Sequence, residues 1–276
     1  MALVLVFALA FTACTGGGNT EPATTDTATE AGTTDAASTG EGKKEGDKFV
    51  VGFDANFPPY GYKEGDDYVG FDLDLAAEVA KRRGWELMKQ PIDWDAKDME
   101  LNSGTIDCIW NGFTINGRED LYLWTDPYVD NSQVFAVKED SGIKSHADLA
   151  GKVVVVQADS SALKALEGED LAALKGSFGS LEQVPDYNTA FMNLESGASD
   201  AVALDIGVAK YQIDSRGGKG FIILDEPIVK EQYGIGFKLG NTALRDQGQE
   251  TLNEMKADGT FKTTAEKWDL LDSIIE

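Results

Sequence analysis

The segment 111–118 and residue 205 carry side chains that suit opposite charges on one small ligand. Arg118 ends the run N-G-F-T-I-N-G-R, and its planar guanidinium can hold a carboxylate through two parallel hydrogen bonds. The Thr114 hydroxyl and the Gly112 backbone N–H can add donors to the same carboxylate. Asp205 offers an acceptor and a negative charge for an ammonium group. Together these groups match the two charges of an α-amino acid zwitterion.

Two further pairs of residues belong to the same candidate site. Ser160 and Ser161 follow a predicted strand and open a predicted helix, where unpaired N–H groups attract anions. Phe57 and Trp94, with Tyr60 as a third wall, can enclose an apolar or flat side chain.

Each of these residues also has an ordinary structural interpretation. Arg118 can form a surface salt bridge with Glu119 or Asp120, and Asp205 can be only a helix N-cap. The two serines can likewise be only caps, and the two aromatic side chains can be core residues. The grouping favours a binding site because all of them fall where predicted strands end.

A repeated stretch positions these residues. The pattern M-x-L-x-S-G-x-x-D occurs at 99–107 and again at 192–200. In each copy a helix is predicted to stop at the Gly, which adopts the left-handed conformation past a helix end at little cost. Short apolar strands follow at 108–110 and 201–204, and each delivers polar residues from its carboxyl end, beginning with Asn111 in the first copy. Ligands of open α/β sheets bind at that end, so the repeat predicts two similar lobes facing one cleft.

Strands and helices alternate along residues 48–271, which predicts α/β lobes with mostly parallel, helix-covered sheets. The run Val153–Val156, with no polar alternation, is typical of a buried central parallel strand. The chain is predicted to cross between lobes near 134–140 and near 225–232. Lobe 1 then comprises 48–135 and 231–276, lobe 2 comprises 136–230, and the two crossings form a hinge. The other predicted strands are 49–53, 85–91, 132–137, 221–224 and 232–237; the predicted helices are 72–83, 96–103, 145–150, 160–166, 189–196, 206–214, 243–258 and 262–271, with Asp95 and Asn188 as caps.

Bulk composition excludes several classes of function. The chain has 276 residues, a net charge of −24 and a single histidine. Nucleic-acid binding requires a basic surface, so this charge excludes nucleic acid as a partner. One histidine leaves almost no scope for a His-based metal site or catalytic triad. We expect no metal, no cofactor and no catalytic residues.

The N-terminal segment is predicted to lie outside the folded part. Residues 1–13 are almost wholly apolar, which is typical of a signal peptide. Phe11–Cys14 resembles a lipoprotein lipobox with Cys14 as the lipidated residue, although Phe replaces the usual Leu and no basic residue precedes the apolar run. A plain secretory signal is the alternative. Residues 15–47 have almost no large apolar side chains and are predicted to be a disordered tether, with order beginning near Lys48.

The ordered part resembles the family 3 amino-acid-binding proteins of ABC importers. The resemblance covers Phe49 to Leu271 and implies the two-lobed, type II periplasmic-binding-protein fold. It is carried by G-F-D-A-N-F-P-P-Y (52–60), V-G-F-D-L-D-L-A (69–76), N-S-G-T-I-D (102–107), N-G-F-T-I-N-G-R (111–118), D-P-Y (126–128), S-D-A-V-A-L-D (199–205), Y-G-I-G-F-K (233–238), D-G-T (258–260) and K-W (267–268).

The resemblance also implies a role for each candidate residue. The ligand carboxylate would be held by Arg118, Thr114 and the N–H groups of Gly112 and Ser161, beside Ser160. The α-amino group would be held by Asp205. The side chain would lie between Phe57 and Trp94, with its distal end near Asp54, Asn111 and Gln157. A carboxylate at Asp54 suggests a cationic or amide side chain on the ligand.

Two positions depart from the family pattern. The spacing from Thr114 to Arg118 is one residue shorter than usual, which would shift the approach of the guanidinium. Asp159 stands where the family usually has Gly. A carboxylate there would repel the ligand carboxylate, so we predict that Asp159 points outward.

These observations predict an amino-acid-binding protein that closes two lobes around its ligand and delivers it to a membrane permease. The protein is expected to be monomeric and held by Cys14 on the outer face of the cell membrane. Two alternatives remain: a dehydratase-like enzyme on the same fold, or a surface adhesin lipoprotein.

Overall fold

Residues 40–276 are described by a computed structural model of the protein. Its strands are β1 (Lys48–Phe53), β2 (Asn56–Phe57), β3 (Gly61–Glu64), β4 (Asp67–Val69), β5 (Glu86–Pro91), β6 (Cys108–Ile109), β7 (Leu123–Trp124), β8 (Val129–Lys138), β9 (Val153–Gln157), β10 (Ser180–Val184), β11 (Ala201–Asp205), β12 (Phe221–Ile223), β13 (Val229–Tyr233) and β14 (Gly236–Phe237). Its α-helices are α1 (Phe71–Arg83), α2 (Lys97–Ser103), α3 (Ser161–Glu167), α4 (Ala172–Ser177), α5 (Tyr187–Ser196), α6 (Ile206–Ser215), α7 (Thr242–Ala257) and α8 (Thr260–Lys267).

The strands form two large sheets and one small one. The first sheet has the order β5-β1-β6-β14-β7, in which β5, β1 and β6 are parallel and β14 is antiparallel to both of its neighbours, β6 and β7. The second has the order β10-β9-β11-β8-β12, and β13 also pairs with β8. In both sheets the parallel strands carry the helical crossovers. This is the predicted α/β class with helix-covered sheets. Each sheet is mixed, because one strand, β14 in the first and β8 in the second, runs opposite to the others.

The repeated stretch has the same local structure in both copies. Helices α2 and α5 end at Gly104 and Gly197, whose φ angles of 82° and 78° lie in the left-handed region. The strands β6 and β11 follow directly. Each is buried and pairs in parallel with a neighbouring strand, β6 with β1 and β11 with β9. The repeat therefore places the residues after β6 and β11 at equivalent edges of the two sheets.

The first helix shows why the predicted pattern forms an element. Phe71, Leu75 and Val79 lie on one buried face of α1, four residues apart. The helix has acidic residues in its first turn and basic residues in its last, which suits the helix dipole. Gly84 ends it at φ 67°. The central parallel strand predicted at Val153–Val156 is also confirmed, since β9 pairs in parallel with both neighbours.

Several local predictions are wrong. The single strand predicted over 232–237 is two strands, because β13 belongs to the second sheet and β14 to the first. Between them the chain passes so close to Ile115 that a Cβ at Gly234 would lie 2.8 Å from its side chain. The helix cap predicted at Asn188 is Asp186, whose carboxylate accepts from the Thr189 N–H at 2.8 Å. Asp95 lies inside a short 3₁₀ turn and caps nothing.

Residues 40–47 are part of the folded structure. The backbone of Lys43 exchanges two hydrogen bonds with the Gln247 side chain on α7, and its ammonium pairs with Asp107 at 2.9 Å. Order therefore begins before Lys48, and the tether predicted over 15–47 is wrong for these eight residues. The signal peptide, Cys14 and the rest of the tether fall outside the described residues. Within 40–276, no helix is both long and apolar enough to span a bilayer.

Candidate functional site

The polar edges of the two sheets meet at one small cavity. It is bounded by the loop after β6, the loop after β9 and the end of β11, together with the segments that follow β1 and β5. Ten of the eleven residues predicted to bind the ligand line it: Phe57, Trp94, Asn111, Gly112, Thr114, Arg118, Gln157, Ser160, Ser161 and Asp205. The eleventh, Asp54, lies directly behind Gln157.

Arg118 is a buried cation without a carboxylate partner among the described residues. The side chain is 6% exposed, and its guanidinium bonds only two backbone carbonyls, those of Thr114 at 3.3 Å and Asp159 at 3.5 Å. Its Cζ lies 5.3 Å from the centre of the Phe113 ring. The alternative salt bridge with Glu119 or Asp120 is therefore wrong. A desolvated guanidinium with free donors at a cavity is suited to an anion.

The shortened loop still brings Arg118 to the cavity. The segment turns back tightly: Gly117 has φ 73° and the Arg118 N–H donates to the Ile115 carbonyl at 2.8 Å. The indole N–H of Trp124 fixes the Arg118 carbonyl at 3.1 Å. These bonds hold the shorter loop in a defined turn.

Asp159 points outward, as predicted. Its side chain is 54% exposed and forms an ion pair with Lys97, which stands at the start of α2 and is itself only 2% exposed. The Asp159 backbone has φ 55°, in the left-handed region that the usual Gly at this position adopts more easily. Asp159 thus keeps the left-handed backbone conformation that glycine favours, and its side chain adds an ion pair between the loop after β9 and the start of α2.

Asp205 occupies the N-cap position of α6, but its side chain makes no capping bond. Its Oδ1 instead accepts from the Asn131 amide at 2.8 Å, the Gln133 amide at 2.7 Å and the Tyr233 hydroxyl. The cap interpretation is therefore wrong for this carboxylate. Burial and the neighbouring Glu231 raise the pKa of Asp205 to about 7.

The distal end of the cavity carries a second buried carboxylate. Asp54 accepts from the Asn56 N–H at 2.8 Å and from the Gln157 amide at 2.7 Å, while its own N–H donates to Asn111 at 3.0 Å. Burial raises the pKa of Asp54 to about 6. The Asn111 amide nitrogen is buried without a hydrogen bond in the described structure. This end of the cavity is therefore polar and acidic.

The aromatic residues divide between the cavity and the core. Phe57 packs against Tyr60 and Tyr187 with ring centroids 5.7 and 6.0 Å apart. Trp94 packs edge-on against Phe113 at 5.5 Å. Phe57 and Trp94 both reach the cavity, whereas Tyr60 packs against Tyr233 away from it.

Gly112, Ser160 and Ser161 differ in which of their backbone and hydroxyl groups remain available to a ligand. The Gly112 N–H donates to Asp72 at 2.6 Å, so the expectation that it binds a ligand carboxylate is wrong. Ser160 is the cap of α3, accepting from the Leu163 N–H at 3.1 Å. Ser161 donates its hydroxyl to Glu231 at 2.5 Å, and its N–H has no partner in the described part of the chain.

The sequence reading missed Glu231, Asn131, Gln133 and Lys97. The first three belong to buried positions spaced two apart, at 231/233 on β13 and 129/131/133 on β8, with more exposed residues between them. This period of two marks one inward face of each strand. Both strands were predicted to start too late, at 232 and 132, which hid the alternation. Lys97 had no sequence signal, since its partner Asp159 lies 62 positions away.

The fold and the cavity define a two-sheet α/β binding protein with charged groups from both sheets at one site. The pattern of the bacterial extracellular solute-binding proteins, family 3, matches residues 49–270, and the chain belongs to this family. The arginine-binding extracellular protein ArtP of Bacillus subtilis is 31% identical over 82% of this chain and 87% of its own. The L-cystine-binding protein TcyA of the same organism is 29% identical over 97% and 96%.

A solved structure supports the same assignment. An ABC uptake transporter substrate-binding protein from Streptococcus pneumoniae with bound histidine has a TM-score of 0.77 and 31% identity, covering 80% of this chain and 92% of its own. The fold is thus that of the type II periplasmic binding proteins, and the chain is a solute-binding protein.

Proposed function

We propose that this protein captures an amino acid between two closing lobes and delivers it to the permease of an ABC importer. The observation that carries the proposal is the meeting of two buried charges at one cavity: Arg118 on the first-sheet side, which has no carboxylate partner among residues 40–276, and Asp205 on the second-sheet side. The two charges suit the carboxylate and the ammonium of a zwitterion. The relatives named for arginine, cystine and histidine support the same class of ligand.

The sequence predicts lobes of residues 48–135 with 231–276 and of residues 136–230. Because β8 and β13 pair within the second sheet along their whole lengths, we place the boundaries near Val129 and Tyr233, and the two crossings there serve as the hinge. Support comes from the separate sheets and from the site residues, which both sheets supply. β8 pairs with second-sheet strands from Val129 onward, so the moving boundary lies close to that residue. Because each lobe holds half of the charges, the ligand binds the closed form better and shifts the population toward it.

The ligand is polar or cationic. Asp54 and the amides of Asn111 and Gln157 stand at the distal end of the cavity, where they suit a guanidinium, an ammonium or an amide. With Asp205 and Glu231, the site holds more acidic than basic groups. A cationic side chain would offset that excess.

The protein acts without catalysis, as a monomer, on the outer side of the membrane, with a lipid at Cys14. Family membership supports the extracytoplasmic location and the transport role. The lipobox-like sequence supports the lipid. A dehydratase-like activity and an adhesin role both receive less support, because neither requires opposite charges that match a zwitterion.

The test is a thermal-shift screen of the purified protein, freed of bound ligand by unfolding and refolding. The screen uses the twenty amino acids plus ornithine, citrulline and cystine. A ligand that binds only the folded form raises the melting temperature. We expect one or a few compounds to do so and Arg118→Ala to abolish the shift, while Arg245→Ala, on α7 and away from the cavity, leaves it intact. No shift with any compound would overturn the proposal.

A further inference from the structure

Glu231 is a buried carboxylate that receives four hydrogen bonds from the residues around the cavity. Its Oε1 accepts from the Thr114 hydroxyl at 2.7 Å and from the Asn131 and Gln133 amides at 2.8 and 2.7 Å. Its Oε2 accepts from the Ser161 hydroxyl at 2.5 Å. The residue is 5% exposed and has no salt bridge within residues 40–276.

These bonds fix the direction of two hydroxyl protons. A hydroxyl has one proton and two lone pairs. Because Thr114 and Ser161 each give that proton to Glu231, their lone pairs remain for other partners, and both residues line the cavity. Such hydroxyls accept hydrogen bonds from a ligand and cannot donate to it. They suit an ammonium group, not the carboxylate expected for Thr114 from its position in the sequence.

Glu231 is also coupled to Asp205. Asn131 and Gln133 each donate to Oε1 of Glu231 and to Oδ1 of Asp205, so two amides join the two carboxylates. The second oxygen of Asp205 has no hydrogen bond in the described residues, and Asp205 reaches the cavity. Two neighbouring buried carboxylates repel each other, and a cation placed beside them relieves that repulsion.

We propose that Glu231 is a positioning residue that sets ligand specificity: by orienting the Thr114 and Ser161 hydroxyls as acceptors and by facing Asp205, it makes this end of the cavity select a primary ammonium group. The inference rests on the proposed function and deepens it. Glu231 acts through Thr114, Ser161 and Asp205, which touch the cavity.

The pair also couples binding to protons. Among the described residues, the ionisable groups that pack around it are Tyr60, Tyr187 and Tyr233, whose pKa values burial raises well above the usual range, so all three are neutral. The charged Arg118 lines the same cavity as Asp205. Asp205, with a pKa of about 7, holds a proton part of the time at neutral pH. An ammonium ion favours the charged form, so binding releases a proton and the affinity rises as the pH rises toward 7.

The experiment compares the natural protein with Glu231→Gln, which keeps the shape and removes the charge. The probes are L-arginine and L-histidine, or the amino acid with the largest shift in the screen above, each beside its 2-hydroxy acid. Calorimetry gives both affinities, and their ratio measures the preference for the amine. We expect Glu231→Gln to lower that ratio at least about tenfold, mainly by weakening the amino acid.

The number of protons released on ligand binding distinguishes a positioning role of Glu231 from a merely structural one. Calorimetry in buffers of different ionisation heat counts the protons released near pH 6.5. Burial and the Glu231 charge both raise the pKa of Asp205, and Glu231→Gln removes the second cause, so the release falls and the pH midpoint of the affinity moves down. Glu182→Gln makes the same exchange on the exposed side of β10 and is the matched control. Thr114→Val, which removes one acceptor, should lower the amine preference without changing the release, and tests the proposal if Glu231→Gln fails to fold.

The outcomes are distinguishable. If the natural protein binds none of the amino acids, the proposed function fails and this inference falls with it. If it binds one of them and Glu231→Gln keeps both the affinity ratio and the proton release, the role of Glu231 alone is overturned. If Glu231→Gln does not fold and Thr114→Val is used instead, an unchanged affinity ratio also overturns the proposed role of Glu231.

Discussion

The two sides of the cavity carry buried charges of opposite sign. On the first-sheet side, Arg118 is buried with backbone carbonyls as its only partners and no counter-charge in the described structure. On the second-sheet side, two carboxylates share the same amide donors, again with no counter-charge. Each side leaves a charge that the protein does not neutralise itself. A ligand whose carboxylate faces Arg118 and whose ammonium faces Asp205 and Glu231 therefore neutralises both sides.

The largest expected effect comes from removing one charge at a time. Arg118→Gln and Asp205→Asn should each weaken amino-acid binding by about 2–5 kcal/mol, the usual loss when one partner of a buried charge pair is removed. The two variants should differ in what they spare. Arg118→Gln should bind the amino acid amide, which lacks the carboxylate, as well as the natural protein does.

The complementary arm uses the 2-hydroxy acid, which lacks the ammonium. Asp205→Asn should bind it at least as well as the natural protein does, because the neutral amide does not repel a ligand that carries a carboxylate and no ammonium. Calorimetric affinities for the three ligands and three proteins complete the comparison. If both variants lose affinity equally for all three ligands, the two sides of the cavity do not divide the charges as described.

The second prediction concerns stability and pH. Burial raises the pKa of Asp54 to about 6 and those of Asp72 and Asp205 to about 7, all above their values in the unfolded chain. The folded form therefore binds more protons than the unfolded form between about pH 4 and pH 7. The free energy of unfolding without ligand should fall as the pH rises through this window, by roughly 1.4 kcal/mol per pH unit for each proton.

Urea unfolding at pH 5, 6, 7 and 8 measures this dependence. Asp205→Asn should flatten the curve and raise the stability at pH 8 relative to the natural protein, because it removes a disfavoured buried charge. Glu182→Gln is the exposed control. A curve for Asp205→Asn parallel to that of the natural protein would show that Asp205 is ionised at all these pH values, against the electrostatics described for its side of the cavity.

The sequence predicted most of the fold because its signals are local. The apolar spacing of α1, the β-branched run of β9 and the glycines that end α2 and α5 each depend on neighbouring residues. The division of residues 232–237 between two sheets depends on contacts with Ile115 and Trp124, distant in the chain. Strand propensity cannot reveal such a crossing.

The candidate site was predicted residue by residue, but not its bonds. Arg118 and Asp205 stood out because their opposite charges suit a zwitterion and both follow predicted strands at the end where ligands bind. Glu231 did not, since its burial is set by pairing between β13 and β8. Gly112 shows the reverse case: its N–H was expected at the ligand, yet the helix residue Asp72 takes it. A partner 40 positions away cannot be read from spacing.

The smallest predicted effect lies in the contact that joins the two sides. Lys97 and Asp159 form an ion pair between the start of α2 and the loop after β9. Asp159→Gly removes it while keeping a residue that adopts φ 55° without strain. Because Asp159 is half exposed, the pair contributes about 1 kcal/mol or less, so the amino-acid affinity should fall only a few-fold.

Salt separates this contact from the charges inside the cavity. The natural protein should lose part of its affinity between 50 mM and 500 mM salt, whereas Asp159→Gly should lose less, since exposed pairs are screened and buried ones are not. Asp140→Gly, at an exposed position outside the cavity, is the matched control and should keep the salt dependence. If Asp159→Gly instead binds more tightly, relief of backbone strain outweighs the ion pair. The usual glycine would then favour ligand binding more than the Lys97–Asp159 ion pair does.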